Sequence, residues 1–581
     1  MKLIKNYKMS FINFIEKNIL ILILLTAFIL RVFQIFYGYP LFFVSDETPN
    51  ILASLKMIGN YSFRAATPGY YYPAITSYVL LPFLSVFLFL GWFLGIFINV
   101  EQIKEIVLLK FGIFIPAARL ASVLFGVLTV YLVYKICEEL FKNKKIGFLA
   151  AWFLAISFMH VYNSHFAQTW VLQTFFIFLV MYLAVKFYNQ ENLRAKHYVL
   201  SGLAAGAAFG VNTVGVFSYF FILFVHFLKN KKNGFVKIFI KNKNFWVLNL
   251  ILFLTMAFIY YLNPYGLQNH FNRITDTKTP AEFGGAGYSS YKPFSPVFFE
   301  VLWFYIKVIF SQETIFTILG IFGAFTIWFK NRTAFYFIFP WVIIYFIVIS
   351  PLTGATGRYI LPVVPALVIL AAYFVHNIFK NFSSKIYITA IILISVPPLV
   401  STVLFNFKLT KDDTHVLAYN WVINNIESGA KIKNEYLGES FPFIESRDAI
   451  IMIKELRPEL FSTKRKYLLS LDENIYPKPN YFMSDYKELS EKIINFDYII
   501  LGSYKKQKLN DQKKILPQSA KLVKFFYPVG NPYLNINFPS YYFPPTDDLN
   551  YNPLYLFENM DYNGPYIEIY KIVPALILTN E

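Results

Sequence analysis

Asp46 and Glu47 are adjacent carboxylates in the stretch FFVSDETPN (42–50), directly after a long apolar run. Charge at such a place is costly unless water or a function holds it there. An ionised carboxylate in a cleft level with a membrane surface can act as a general base towards a hydroxyl. The bland reading is that the pair only marks the water boundary of the run. Arg31 lies inside the same run near its far end, where it can snorkel outward or pair with a carboxylate. His160, Asn163, His165 and Gln168 fall in one loop. Two histidines five apart do not share a helix face and no acid accompanies them, so they read as polar loop residues or hydrogen-bonders to substrate more readily than as metal ligands.

Asp46 and Glu47 precede TPNILASLKMIGN (48–60), which reads as a short helix. Thr48 is the expected cap, Pro49 suits the first turn and Gly59 can end it. Ile51, Leu52, Leu55 and Ile58 lie along one face, with Lys56 to the side, so the helix is expected to lie on the membrane surface. The helix dipole favours negative charge at its start.

The 581 residues are 56% hydrophobic and 15% charged, against about 25% charged in a soluble domain. This is a polytopic membrane protein with some soluble mass. The net charge of +19 is the excess that cytoplasmic loops carry, and nucleic acid is not an expected partner. One cysteine, Cys137, excludes an intrachain disulfide and multi-thiolate metal sites.

Apolar runs near 19–37, 113–136, 146–160, 169–186, 198–211, 213–228, 244–262, 314–329, 334–350, 359–376 and 386–404 give about 11 expected transmembrane helices. Two more runs, 73–99 and 296–311, are assigned to outer juxtamembrane helices. The Lys/Arg clusters at 141–145, 186–196, 229–243, 330–332 and 380–385 all face the cytoplasm only if these two do not cross. The expected fold is thus an α-helical integral membrane domain (1–404) with a large first outer loop (38–112), followed by a soluble extracytoplasmic α/β domain (405–581). In the latter, 414–426 has helical periodicity, and 430–435, 496–504, 520–528 and 565–573 have strand character. Gly202, Gly206 and Gly210 recur at a spacing suited to close helix packing.

The ordered set of features resembles polytopic glycosyltransferases of the C-type fold, the protein mannosyltransferase-like and aminoarabinose-transferase-like enzymes. The resemblance is carried by the acidic pair at 46–47, GYYYPAITSY (69–78), AARLASVLFGVLTVYLVY (117–134), SHFAQTWVLQTFF (164–176), LSGLAAGAAFGVNTVGV (200–216), NPYGL (263–267), GRYILPVVPAL (357–367), DDTHVLAYNWVINNIESGAKIKNE (412–435) and GPYIEIYK (564–571). It covers nearly the whole chain, and its specificity lies in the order of the pieces.

What the resemblance implies is inverting transfer of a sugar from a polyprenyl-phosphate donor to an acceptor hydroxyl at the outer face of the plasma membrane. Asp46 would be the base, and Glu47 would orient Asp46 or a substrate hydroxyl. The leaving phosphate calls for cations. Arg358 is the first choice, because GRY opens a span at headgroup level and a guanidinium can grip phosphate bidentately. Arg119, Arg31 and Lys56 are second choices. His165, Trp170, Tyr359, His270 and Arg273 are candidate substrate contacts, the last two in the glycine-rich loop 263–293. No cofactor is required, room is left for a divalent metal, and no metal ligand is assigned. The acceptor stays open among protein, lipid and envelope glycan.

Two positions depart from the family pattern. Trp170 stands where many relatives carry an acid, and Asn212 where many carry a lysine. They keep a catalytically silent binder of sugar lipids open as an alternative. A flippase for lipid-linked glycans is the other; it predicts polar residues in several spans, and almost none are found.

Overall fold

The structure is a computed structural model. It describes residues 18–41, 46–65, 72–191, 194–230, 239, 241–268, 293–352, 356–436, 441–484, 495–503, 506–528, 562 and 564–573. Two compact units divide the chain. The first comprises Met1–Ile35, Asp46–Phe87 and Pro116–Asn406, and the second comprises Phe36–Ser45, Leu88–Ile115 and Phe407–Glu581.

The helices, in chain order, are α1 (Asn18–Val32), α2 (Glu47–Gly59), α3 (Ile75–Phe93), α4 (Val100–Leu109), α5 (Ile115–Phe141), α6 (Lys144–Ile156), α7 (Phe158–Ser164), α8 (Thr169–Tyr188), α9 (Ala195–Val211), α10 (Tyr219–Asn230), α11 (Lys243–Leu262), α12 (Pro296–Gln312), α13 (Thr314–Lys330), α14 (Arg332–Ile349), α15 (Val364–Phe379) and α16 (Ser384–Lys408). Among the described residues, eight helices are long and apolar enough to cross a membrane, or up to ten if each bent pair is one span. Eleven were expected, and two of the expected runs fall on helices shorter than this length. α1 is a shorter apolar helix, and α9 has 17 residues. The α6–α7 pair bends by 58° and the α12–α13 pair by 109°.

α3 is one of the eight, although charge placement assigned its sequence to the outer surface. Its 19 residues extend about 28 Å at the helical rise, close to the hydrocarbon thickness. Phe89, Trp92 and Phe93 on it are exposed.

The core of the first unit is one apolar cluster drawn chiefly from α5–α8 and α13–α15. The glycine repeat of α9 packs on α11. A Cβ at Gly206 would come within 2.5 Å of the Thr255 side chain, and one at Gly210 within 2.5 Å of Ile259. Small residues here let the two backbones approach. α2 differs from expectation in its start and its face. It begins at Glu47, with Asp46 in the capping position and making no side-chain cap, and Thr48 does not cap it. Ile51, Ala53, Ser54, Leu55 and Met57 are buried, while Leu52 and Ile58 are only partly so. Ser54 Oγ donates to the Ser77 carbonyl at 2.8 Å, tying α2 to the first turn of α3.

In the second unit, five strands form one sheet: β1 (Lys431–Tyr436), β2 (Phe482–Ser484), β3 (Tyr498–Ser503), β4 (Ala520–Phe526) and β5 (Tyr566–Ile572), in the order β2-β1-β3-β5-β4. β1 is parallel to β2 and β3, whereas β5 is antiparallel to β3 and β4. Alternation sends Ile432, Ile500, Ile567 and Ile569 to one face, against Ala418 and Val422 of α17 (Thr414–Asn425). Ile499, Leu501, Tyr566 and Tyr570 cover the other face with Leu509. Four strands and α17 form where period and propensity predicted them; three-residue β2 gives too short a pattern to read.

Asp413 caps α17 and ties it to an earlier part of the same unit. Its Oδ1 accepts from the His415 amide at 2.8 Å and from the ring Nδ1 at 2.7 Å; its Oδ2 accepts from Tyr37 Oη at 2.6 Å. Burial alone would raise this carboxyl, but the His415 imidazole and these hydrogen bonds outweigh it and hold Asp413 below the usual carboxylate range.

Candidate active site

Successive residues at a helix start point about 100° apart, and this separates the two acids. Glu47 turns inward and is fully buried. Its Oε1 accepts from Arg119 Nε at 2.8 Å and from the Ala167 amide at 2.7 Å, and its Oε2 accepts from Arg119 Nη2 at 2.9 Å. Arg119, on the second turn of α5, also donates to the Ile35 carbonyl and lies over the Phe166 ring. The pair is closed: a bidentate, charge-compensated contact at 3% and 0% side-chain exposure.

Asp46 turns the other way, and 32% of its side chain remains exposed. Its Oδ2 accepts from Arg358 Nη2 at 2.5 Å and its Oδ1 from Tyr72 Oη at 3.1 Å. Burial, followed by the negative charge of Asp46, holds the Tyr72 phenol well above its ordinary value. Tyr72 therefore stays protonated and donates. Its carbonyl accepts from Asn263 Nδ2 at 2.7 Å, beyond the end of α11. Arg358 sits on the 3-10 turn Gly357–Val363 that leads into α15. Beside it, the Tyr359 ring lies against Trp170 of α8 with centroids 4.3 Å apart.

Asp46, Arg358, Tyr359 and Trp170, all singled out in the sequence, thus join one another in contact or in sequence. Arg119 is committed to Glu47. Arg31 is fully buried and donates to the carbonyls of Ala27, Leu154 and Ala155, with His160 Nδ1 at 2.9 Å. Lys56 is exposed on the last turn of α2. His165 is buried in the loop after α7 with Nδ1 2.9 Å from the Val161 carbonyl; burial lowers it to about 4, so the ring is neutral. Asn212 accepts from the Val214 amide and caps a 3-10 turn. His270 and Arg273 lie outside the described residues. Among the described residues, no group of three or more His, Cys, Asp and Glu side chains could hold a metal ion.

Sequence reasoning missed Tyr72, hidden in a run of three tyrosines, and Glu313, a lone acid between two apolar runs. The second was detectable, since an acid between spans is a functional signal by default.

Fold and site together define a multi-helix membrane protein with a partly open carboxylate–guanidinium pair beside a sealed one. Residues 63–274, just over a third of the chain, match the family described as dolichyl-phosphate-mannose-protein mannosyltransferase. That region contains Tyr72, Arg119 and Trp170. No curated protein matches the sequence. Among solved structures, ArnT from Cupriavidus metallidurans bound to undecaprenyl phosphate is similar at 12% identity, over 87% of this chain and 95% of that one, with a TM-score of 0.47. The archaeal oligosaccharyltransferase AglB from Archaeoglobus fulgidus, in complex with an inhibitory peptide and a dolichol-phosphate, is similar at 10% identity, over 84% and 70%, with a TM-score of 0.45. The arabinofuranosyltransferase AftD from Mycobacteria is similar at 13% identity, over 95% and 40%, with a TM-score of 0.44.

Proposed function

We propose that the protein is a membrane glycosyltransferase that moves a sugar from a polyprenyl-phosphate donor to an acceptor hydroxyl at the outer face of the membrane. The observation that carries this reading is the partly exposed Asp46–Arg358 pair, in a chain whose residues 63–274 match a mannosyltransferase family. The membrane domain 1–404 holds the site and 405–581 forms the outer domain. The N-terminus is cytoplasmic, in keeping with the Lys/Arg clusters.

In this mechanism an Asp46 carboxylate oxygen takes the acceptor hydroxyl proton. The acceptor oxygen forms a bond to the anomeric carbon from the face opposite the phosphate. The carbon–oxygen bond to phosphate breaks, its electron pair leaves with the phosphate, and the anomeric centre inverts. Arg358 answers the charge that grows on the leaving phosphate. Tyr72 keeps Asp46 oriented through a phenol that does not ionise at neutral pH. Glu47 and Arg119 fix the start of α2 from below, and Trp170 with Tyr359 form an aromatic wall beside Arg358.

The test is label transfer from a panel of polyprenyl-phosphate sugars, with membranes carrying the intact protein or Asp46→Asn. Transfer in the first and a loss of about a hundredfold in the second are expected. Full transfer by Asp46→Asn overturns the base assignment. No transfer by the intact protein from any donor favours a silent binder or a flippase.

A further inference from the structure

Two ionisable side chains with no part in this chemistry, Arg31 and Glu313, meet at a break in a helix. α6 ends at Ile156 and α7 begins at Phe158, turned by 58°. Such a break strands the last carbonyls of one helix and the first amides of the next, and inside a membrane protein each stranded group is costly. Here both sets have partners. Arg31 donates to Leu154 and Ala155 carbonyls at 3.0 Å each, and Thr402 Oγ1 donates to the Ile156 carbonyl at 3.0 Å. On the other side Glu313 Oε1 accepts from Ser157 Oγ at 2.6 Å and from the Met159 amide at 2.7 Å. The guanidinium thus serves the carbonyls at a helix C-terminus, and a carboxyl oxygen serves an amide at the next helix's N-terminus. Gly126 leaves the room: a Cβ there would come within 2.7 Å of Ser164 Oγ and 3.1 Å of the Arg31 side chain.

α7 runs for only seven residues. The loop after it carries Phe166, which lies under Arg119, and Ala167, whose amide is the third donor to Glu47. Glu47 is bonded to Asp46. Every step from the break to Asp46 is therefore covalent or a short hydrogen bond.

We propose that Arg31 and Glu313 are positioning residues: by holding the break at Ser157 they set the Ala167 amide against Glu47 and so set the direction of Asp46. This rests on the reading of Asp46 as the base. It gives Arg31 a role distinct from phosphate binding.

The test uses the full chain in lipid nanodiscs, comparing Glu313→Ala, Glu313→Gln and Arg31→Met with the intact protein. One readout needs no activity: carbodiimide labelling of Asp46 and Glu47, read by mass spectrometry. In the intact protein Asp46, 32% exposed, is expected to be labelled and Glu47, fully buried, to be protected. Glu313→Ala and Arg31→Met are expected to expose Glu47, raising its labelling about tenfold, whereas Glu313→Gln, which keeps an acceptor oxygen for Ser157 and Met159, leaves it protected. In the transfer assay, kcat falls about tenfold or more in the first two with donor KM within about twofold, the signature of lost alignment. Glutamine at 313 restores it. Should Arg31→Met fail to accumulate, the alanine–glutamine contrast at 313 decides. Continued protection of Glu47 in Glu313→Ala overturns the proposal, even if thermal stability drops. An intact protein that transfers from no donor refutes the glycosyl-transfer reading, while Glu47 labelling still decides the role of the break.

Discussion

Asp46→Asn and Glu47→Ala change neighbouring residues and are expected to fail in opposite ways. Glu47 and Arg119 form a buried pair at 0% and 3% side-chain exposure. Removing the carboxylate leaves a guanidinium sealed in the protein without its counter-charge, and orphans the Ala167 amide as well. Breaking such a pair costs about 3–5 kcal/mol. Asp46 keeps 32% exposure and makes no helix-capping bond. Its ion pair is partly screened, so Asp46→Asn should change stability by only about 0–1 kcal/mol while transfer falls about a hundredfold. The assay is thermal unfolding of purified protein alongside label transfer. Glu47→Ala should lower the apparent Tm clearly and lose transfer with it; Asp46→Asn should lose transfer alone. The double change Glu47→Leu with Arg119→Met should recover most of the lost stability, because an apolar replacement of a buried pair is often neutral, but not transfer. A Glu47→Ala protein as stable as the parent would falsify the division of labour between the two acids.

Arg358→Met should lower kcat/KM for the donor about a hundredfold, and Arg358→Lys should recover only part, since an ammonium lacks the bidentate fork; donor titrations measure both. Trp170→Leu removes the contact with Tyr359, worth about 0.5–1.5 kcal/mol beyond burial, and should cost transfer about two- to tenfold, with Trp170→Phe between; initial rates decide. Asp413 has a folded-state pKa below its unfolded value, so its stabilisation is present above about pH 4 and is lost as pH falls through the lower folded value. Asp413→Asn should flatten that acid limb in a pH series of unfolding midpoints. Single cysteines placed along α3 in a Cys137→Ser background, labelled from one side, should show whether this helix crosses; labelling at both ends by an impermeant reagent would return it to the outer surface.

The elements legible in the chain are those whose signal is local. Apolar length marks the helices from α5 to α16 except α7, whose His160 and Asn163 read as loop residues but lie on a seven-residue helix, and alternation with β-branched residues marks four of five strands, because burial acts on each segment's own periodicity. The acidic pair at 46–47 was visible for the same reason, as charge next to an apolar run. Where the short helix begins was not local: Asp46 gives up its side-chain cap because Tyr72 and Arg358 hold its carboxylate. The break at Ser157 carries no proline and left no mark in composition, falling inside a run that reads as continuous, whereas Glu313 stands between two apolar runs.

From sequence alone came a multi-span helical protein with a terminal α/β domain, and a short set of ionisable residues near its surface. Which cation serves which acid was decided only in three dimensions. Arg119 is 72 residues from Glu47 and Arg358 is 312 from Asp46, and a pairing energy depends on distance and burial rather than on order along the chain. The sequence ranks Arg31 and Arg119 behind Arg358 but pairs none of them with a particular acid. The fold seals the first two against carbonyls and Glu47 and leaves the third beside a carboxylate that solvent can still reach.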